Sequence, residues 1–543
     1  MKRRTLLTAT ALVPIVAACS PTPGATSQGT STGAAENSLI PRNSELLSDE
    51  RVRKAIAYAL DMSSVISGIY KGKAKPANAL MPAGPYKPSS GLTDYNYNMD
   101  KAKQLLKDAG WDSNRELDLV YYYSDQSTTD FMAAVQQFLG QVGIKAKPRL
   151  LVGDLASQLW THPKDPVNGP SAVKWDIAYG AIAALSPHEY YDRFLPTYTA
   201  NSLWPDNKEY TGLIQATEAS PDPTVQKAAF QKVVTWENAH LPEVPLYYQP
   251  IFITESKKLD RKGAEYGNEQ FNYDWQINKW DLPVGTDGKK TLHTNGGPVQ
   301  FFEHPFYNPG LMMGKRILWD HLIVASGDLR PKAGQLAEKY ELSPDGKKVT
   351  FTLRKNIKWH DGTSITGDDV KFTYELAAKV PTIHSVFAAT LKKISSITVN
   401  GDVVEFNFSE VDSDALITFS QLPPLPKKYL ATADPLKIQQ DPYFQKPIGS
   451  GPFRLTDVSM GSYAVAEAWP DYWNGRPVID QLNMYASGES DPNLVKNVQA
   501  GNVDYAFTKS VDDVVAIAAV NSMSVHDVDV YYTRLLFINS FPR

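Results

Sequence analysis

The chain of 543 residues has a single cysteine, Cys19, which excludes a disulfide framework and a cluster of thiolate metal ligands. Charge of one sign is also missing. Its 55 Lys and Arg against 59 Asp and Glu leave a formal net charge of -4, so nothing calls for phosphate-rich partners and nucleic acid is not expected. The N-terminal apolar run, Leu6 to Ala18, is too short to cross a bilayer, which takes about 20 residues. Phosphate-loop spacing is absent: the stretch GTDGKKT at 285–291 does not fit GxxxxGK[ST]. His360-Asp361 and Asp368-Asp369 stand where Asp caps a helix start, so no catalytic pair, metal or cofactor is expected. What remains is a chain with 42% hydrophobic and 21% charged residues, long enough to bury several cores. Its 28 Tyr, 20 Phe and 11 Trp are expected mostly to fill those cores.

The first 19 residues have the proportions of an export signal, with Lys2-Arg3-Arg4 ahead of the apolar run. The run stops at Val16-Ala17-Ala18-Cys19, which resembles the lipobox of bacterial lipoproteins and implies lipidation at Cys19. Arg3-Arg4 fits a general or a twin-arginine export route. Residues 20–43 are rich in Ser, Thr, Gly, Ala and Pro and read as a flexible tether, with a typical span of roughly 27 Å.

Periodic sequence begins at Asp49. Val52, Ala55, Ile56, Ala59 and Leu60 fall on one helical face, and a second helix is expected from an Asp100 cap to a Gly110 stop. A strand at 117–123, a helix at about 129–141 and strands near 144–151 and 175–179 continue the alternation of an α/β lobe, taken as 44–258. The texture then changes. The run 348–354 alternates cleanly, and 394–399 with 403–408 around Asn400-Gly401 reads as a hairpin with a primed two-residue turn. A smaller mixed lobe is therefore expected at 331–445, with 259–330 and 446–543 forming a second α/β lobe and hinge strands.

The run DGKKVTFTLRKNIKWHDG at 345–362, continuing through TGDDV at 366–370, resembles the signature of the dipeptide/oligopeptide-type extracellular solute-binding proteins, family 5. PIGSGPF at 447–453, DYWNG at 471–475, AGNVD at 500–504 and RVRKA at 51–55 add to the resemblance. Their order is circularly permuted, since the block opening at Arg51 begins the second half of family members and here comes first. In family order the chain would start near Thr291 and run through Phe537-Ile538-Asn539 into Asn43-Ser44-Glu45. Residues 282–290 would then form a surface loop joining the old termini, and Pro41-Arg42 repeats Pro542-Arg543 as an overlap would.

The resemblance implies a type II periplasmic-binding-protein-like α/β fold: two lobes around a hinge, plus an extra mixed lobe, closing on solute. It implies a monomer, anchored to the membrane only through its lipid on the extracytoplasmic side, that hands solute to an ABC permease. Oligopeptide and neutral oligosaccharide are both open as ligands. Peptide-binding members carry a Gly-Trp-Gly-Ala-Asp-like turn whose Asp pairs with the peptide's ammonium group, and the matching stretch Tyr179 to Pro187 has no carboxylate there. Dipeptide-type members have an Arg where Ser124-Asp125-Gln126 follows the strand ending at Tyr123. Either Glu189 or Asp192 substitutes, or the ligand is neutral. Ligand contacts are expected from Phe301, Phe302, His304 and Tyr307, from Tyr123, and from Ile182, Ala184 and His188 in the matching turn. A hydrolase using scattered Asp and Glu, or a purely structural surface lipoprotein, is the rival reading.

Overall fold

A computed structural model describes residues 44–198, 203–266, 276–297, 304–307, 313–487 and 491–541. The first lobe is built on a six-stranded sheet in the order Lys75–Pro76, Val244–Tyr248, Tyr532–Ile538, Ile177–Ala183, Glu116–Tyr121 and Lys145–Leu150. Glu116–Tyr121 runs parallel to both its neighbours, whereas Tyr532–Ile538 is antiparallel to the strands on either side of it. Central strands such as YTRLLFI are buried along their whole length, because helices cover both faces. Phe131, Val135 and Leu139 of helix Gln126–Gln141 pack with Val52 and Ile56 in one core, and Phe230, Val233 and Val234 of helix Pro223–His240 pack with Tyr190 and Tyr191 in another.

The expected helices are present, with their starts set by side-chain caps. Asp49 caps Glu50–Ala59, and Gly110, at φ 72°, ends Met99–Ala109. The cap of the latter is Asn98 rather than Asp100, because the Asn98 carboxamide oxygen accepts from the Lys101 N–H while Asp100 lies in the first turn, facing the positive end of the helix.

The second lobe carries a seven-stranded sheet in the order Phe453–Ser459, Tyr463–Ala468, Gln481–Ala486, Thr291–Gly297, Tyr505–Thr508, Ile251–Ser256 and Met523–Val528. Two expected boundaries shift as a result. Ile251–Ser256 pairs with Tyr505–Thr508 and Met523–Val528, so the first lobe ends near residue 248 and not at 258. Tyr532–Ile538 belongs to the first sheet, so the second lobe ends near residue 528 and not at 543. Pro250 accounts for the first shift: with no N–H it interrupts the ladder and sends the chain from one sheet to the other. In the described residues the chain crosses between the two sheets twice, at 249–250 and 529–531. The crossings touch, with the Gln249 N–H donating to the Tyr532 carbonyl at 3.0 Å.

The third lobe is a four-stranded antiparallel sheet, Ala337–Leu342, Lys348–Leu353, Val403–Phe408 and Ile394–Asn400, with one face buried. The expected hairpin forms, but its turn is Gly401-Asp402, because Asn400 is still paired with Val403; Gly401 has φ 59°, which suits glycine. Phe351, Tyr374, Phe406 and Phe419 meet in a core that continues into the second lobe. His360 fastens the two lobes. Its Nε2 donates to the Gly451 carbonyl at 2.9 Å and its Nδ1 accepts from the Gly449 N–H at 3.2 Å, a structural role in line with the sequence expectation.

Candidate ligand site at the lobe crossing

Strand Tyr532–Ile538 puts one charged side chain into an otherwise apolar run, and it does so three residues past the second crossing. Arg534 is 8% exposed, and its guanidinium carbon lies 4.2 Å from the Tyr123 ring centre, 5.1 Å from Tyr532 and 5.7 Å from Tyr179. Its Nε donates to the Gln249 side-chain oxygen at 2.7 Å, which ties it to the first crossing. One terminal nitrogen is buried with no hydrogen-bond partner, and among the described residues no carboxylate stands within ion-pair distance of the group. The second lobe adds a cation to the same ring: Lys509, directly after Tyr505–Thr508, has its Nζ 5.1 Å from the Tyr532 centre. Behind the cation the Tyr179 and Tyr247 hydroxyls share a 2.7 Å hydrogen bond, and burial pushes both phenols above their ordinary pKa. The crossing is thus a dry, aromatic floor carrying fixed positive charge.

Of the residues expected to contact ligand, Tyr123 is the one brought to this floor. Phe301 and Phe302 lie outside the described residues, as does Cys19. His304 is 0% exposed and stacks on Phe444 with ring centres 3.7 Å apart; its Nε2 donates to the Ile438 carbonyl and its Nδ1 accepts from the Phe306 N–H. Burial lowers its pKa to about 3, and both nitrogens are committed to the protein, so His304 packs one lobe on another. Tyr307 sits edge-on to the same imidazole and is half-buried against the core.

Ile182 and Ala184 are also buried. Ile182 is 4% exposed within the first-lobe core, and Ala184 is 0% exposed with its N–H bonded to the Tyr531 carbonyl. His188 is buried where the first lobe meets the third. Its Nδ1 is 2.7 Å from an Asp414 carboxylate oxygen, and although burial disfavours the cation, that carboxylate raises the pKa to about 10. Glu189 accepts from the Leu185 N–H and the Ser385 hydroxyl in the same seam, so it is engaged in holding lobes together rather than facing the crossing. A groove of about 660 Å³ runs along this seam past His188, Phe230, Arg330 and Asp414. The matching turn therefore serves docking between lobes, because its apolar residues find a protein partner in the third lobe.

Arg534 was missed by sequence reasoning aimed at family motifs, yet it had a signal. A lone cation inside the buried run YYTRLLFIN needs a reason, since burying an isolated charge costs several kcal/mol. Among the described residues, no group of His, Cys, Asp and Glu is arranged to hold a metal, and no helix is long and apolar enough to cross a membrane.

The sequence profile of the bacterial extracellular solute-binding proteins, family 5 Middle, matches two blocks, residues 18–194 and 333–540, well over half of the chain. An ABC transporter peptide-binding protein of Brucella ovis is 31% identical over 225 residues, 41% of this chain and 42% of that one. The oligopeptide-binding protein AppA of Bacillus subtilis is 27% identical over 266 residues, 47% of this chain and 46% of AppA. The structure of that AppA in complex with a nonapeptide aligns with 42% of this chain and 46% of its own at a TM-score of 0.37 and 24% identity. The chain thus spans less than half the length of these curated relatives. On the profile match, this chain belongs to the bacterial extracellular solute-binding proteins, family 5.

Proposed function

We propose that the chain captures a small solute between its first two lobes and delivers it to an ABC permease. The family is one of extracytoplasmic binding proteins, and the chain is a binding protein rather than an enzyme. The observation that carries the reading is the pair of crossings at 249–250 and 529–531. Two short segments, lying side by side, are the places where the chain passes between the first two sheets, and the charged aromatic floor lies beside them. A solute favours the closed state only by touching both lobes. An oligopeptide-class solute is the reading favoured by the relatives' names, with oligosaccharide as its rival. The experiment is whether adding solute brings the lobes together.

Two further parts of this reading concern the chain's organisation. A lipid on Cys19 would hold the protein at the outer face of the membrane through the 20–43 tether, as a monomer. Cys19→Ala is then expected in the soluble fraction with solute binding intact; retention in washed membranes counts against the anchor.

The permuted order is supported by both ends of the body lying near residues 203–204. The Ser540 N–H bonds the Leu203 carbonyl at 2.7 Å, while the adjacent Trp204 lies under Arg53, which donates to the Leu47 carbonyl. Asn43 and Arg543 themselves lie outside the described residues. Residues 283–288 form an exposed turn closed by the Gly285 N–H on the Lys289 carbonyl, suited to joining former termini. A chain reordered to start at Thr291, with Phe541 rejoined to Ser44, should fold to the same stability; an unfolded product would sink the permutation.

A further inference from the structure

The geometry points to a carboxylate on the captured solute that pairs with Arg534. This rests on the solute-binding reading and specifies its chemistry. Arginine stays charged at every physiological pH and presents a planar fork of donors, yet here the protein engages Nε through the neutral Gln249 amide and surrounds the rest with tyrosine faces. Ring faces attract a cation but accept no in-plane hydrogen bond, so the buried terminal nitrogen keeps an unfilled donor. Other buried arginines of the chain are treated differently. Arg53 spends its donors on four carbonyls, and Arg261 stands 3.7 Å from Glu255. Arg534 instead lies beside both crossings, where a group entering between the lobes can supply the acceptor.

A carboxylate matches what is missing, because two oxygens can take the fork while the negative charge answers the cation. Lys509, from the second lobe, has its Nζ 5.1 Å from the Tyr532 ring beside the same site. The pair would be screened little by salt, since it forms in a dry site. A peptide's C-terminus or an acidic side chain, and a uronic acid of an oligosaccharide, all offer this chemistry.

The test uses the full chain with four probes: a pooled pentapeptide library, the same library without acidic residues and C-terminally amidated, an oligogalacturonate, and a neutral oligosaccharide of equal length. Calorimetry on the wild type should show binding of at least one carboxylate-bearing probe and about hundredfold weaker binding of its uncharged counterpart, the size expected when a buried charge loses its partner. Which arm binds identifies the source of the carboxylate. Arg534→Met should abolish the discrimination, and Arg534→Lys should retain part of it, because an ammonium keeps charge but loses the fork. The wild-type comparison stands even if a variant does not fold. Equal binding of charged and uncharged probes overturns the carboxylate while leaving solute capture intact. Binding of none of the four overturns the solute-binding reading and the inference with it.

Discussion

Arg53→Met is expected to lower the unfolding free energy by about 3–5 kcal/mol, the cost of breaking a buried, fully engaged charged group. Arg53 is 3% exposed on helix Glu50–Ala59 and donates to the carbonyls of Leu47, Ser48, His240 and Leu241. Two of those carbonyls end helix Pro223–His240, where the helix dipole favours a cation, and the guanidinium lies 4.9 Å over the Trp204 ring. Burial pulls its pKa down to about 10, which still leaves it charged at neutral pH. Methionine fills similar volume but leaves four carbonyls without this donor. Lysine should not rescue, since one ammonium cannot reach four acceptors spread over a planar fork. Urea titration reads the effect as a lower midpoint at unchanged slope, and a loss under about 1 kcal/mol would show that water replaces the guanidinium.

Stability is also expected to fall as pH rises above about 6.5, by on the order of 3 kcal/mol by pH 9. Glu237 is 0% exposed, and burial raises its pKa to about 8 despite hydrogen bonds from the Leu80 N–H and the Tyr191 hydroxyl. A carboxylic acid raised in the folded state binds its proton more tightly there, so its contribution is complete below its ordinary pKa near 4.5 and is lost as pH climbs through about 8. His188, raised to about 10 by Asp414 against the effect of burial, adds in the same direction between its ordinary 6.5 and 10. Below about pH 6.5 opposing groups act. Glu243 and Asp320, each raised by burial to about 7, gain stability as pH falls, while His304 and His360, lowered by burial to about 3 and 4, lose it as they are driven to take a proton. Melting temperatures should therefore decline on the alkaline side, and Glu237→Gln, which keeps an oxygen for Leu80, should flatten part of that decline. A melting temperature that holds or rises from pH 6.5 to 9 would contradict the assignment.

Much of the fold was legible because local chemistry and burial agree. The strand Lys348–Leu353 alternates because only one face of its sheet is covered, and Asp49 and Gly110 mark helix ends through backbone groups that a side chain or a left-handed φ must satisfy. Legibility fails where a choice depends on a distant partner. Ile251–Ser256 reads as a continuation of Val244–Tyr248, and nothing within it says that its partners lie some 250 residues away. His304 carries the same letter whether it faces a solute or Phe444, and only the fold shows that it lies buried against Phe444. Arg534 is the opposite case. Its burial follows from the apolar strand around it, but the absence of a carboxylate partner among the described residues appears only when Tyr123, Tyr179 and Gln249 converge on it from three other places in the chain.

Solution scattering of the full chain, with and without the pooled pentapeptides or the oligosaccharides, measures lobe closure most directly. A probe shown by calorimetry to bind should reduce the radius of gyration and the maximum dimension at constant molecular mass, because the lobes rotate about 249–250 and 529–531 onto the solute. An unchanged scattering profile at saturation with a bound probe would contradict capture by closure between the lobes.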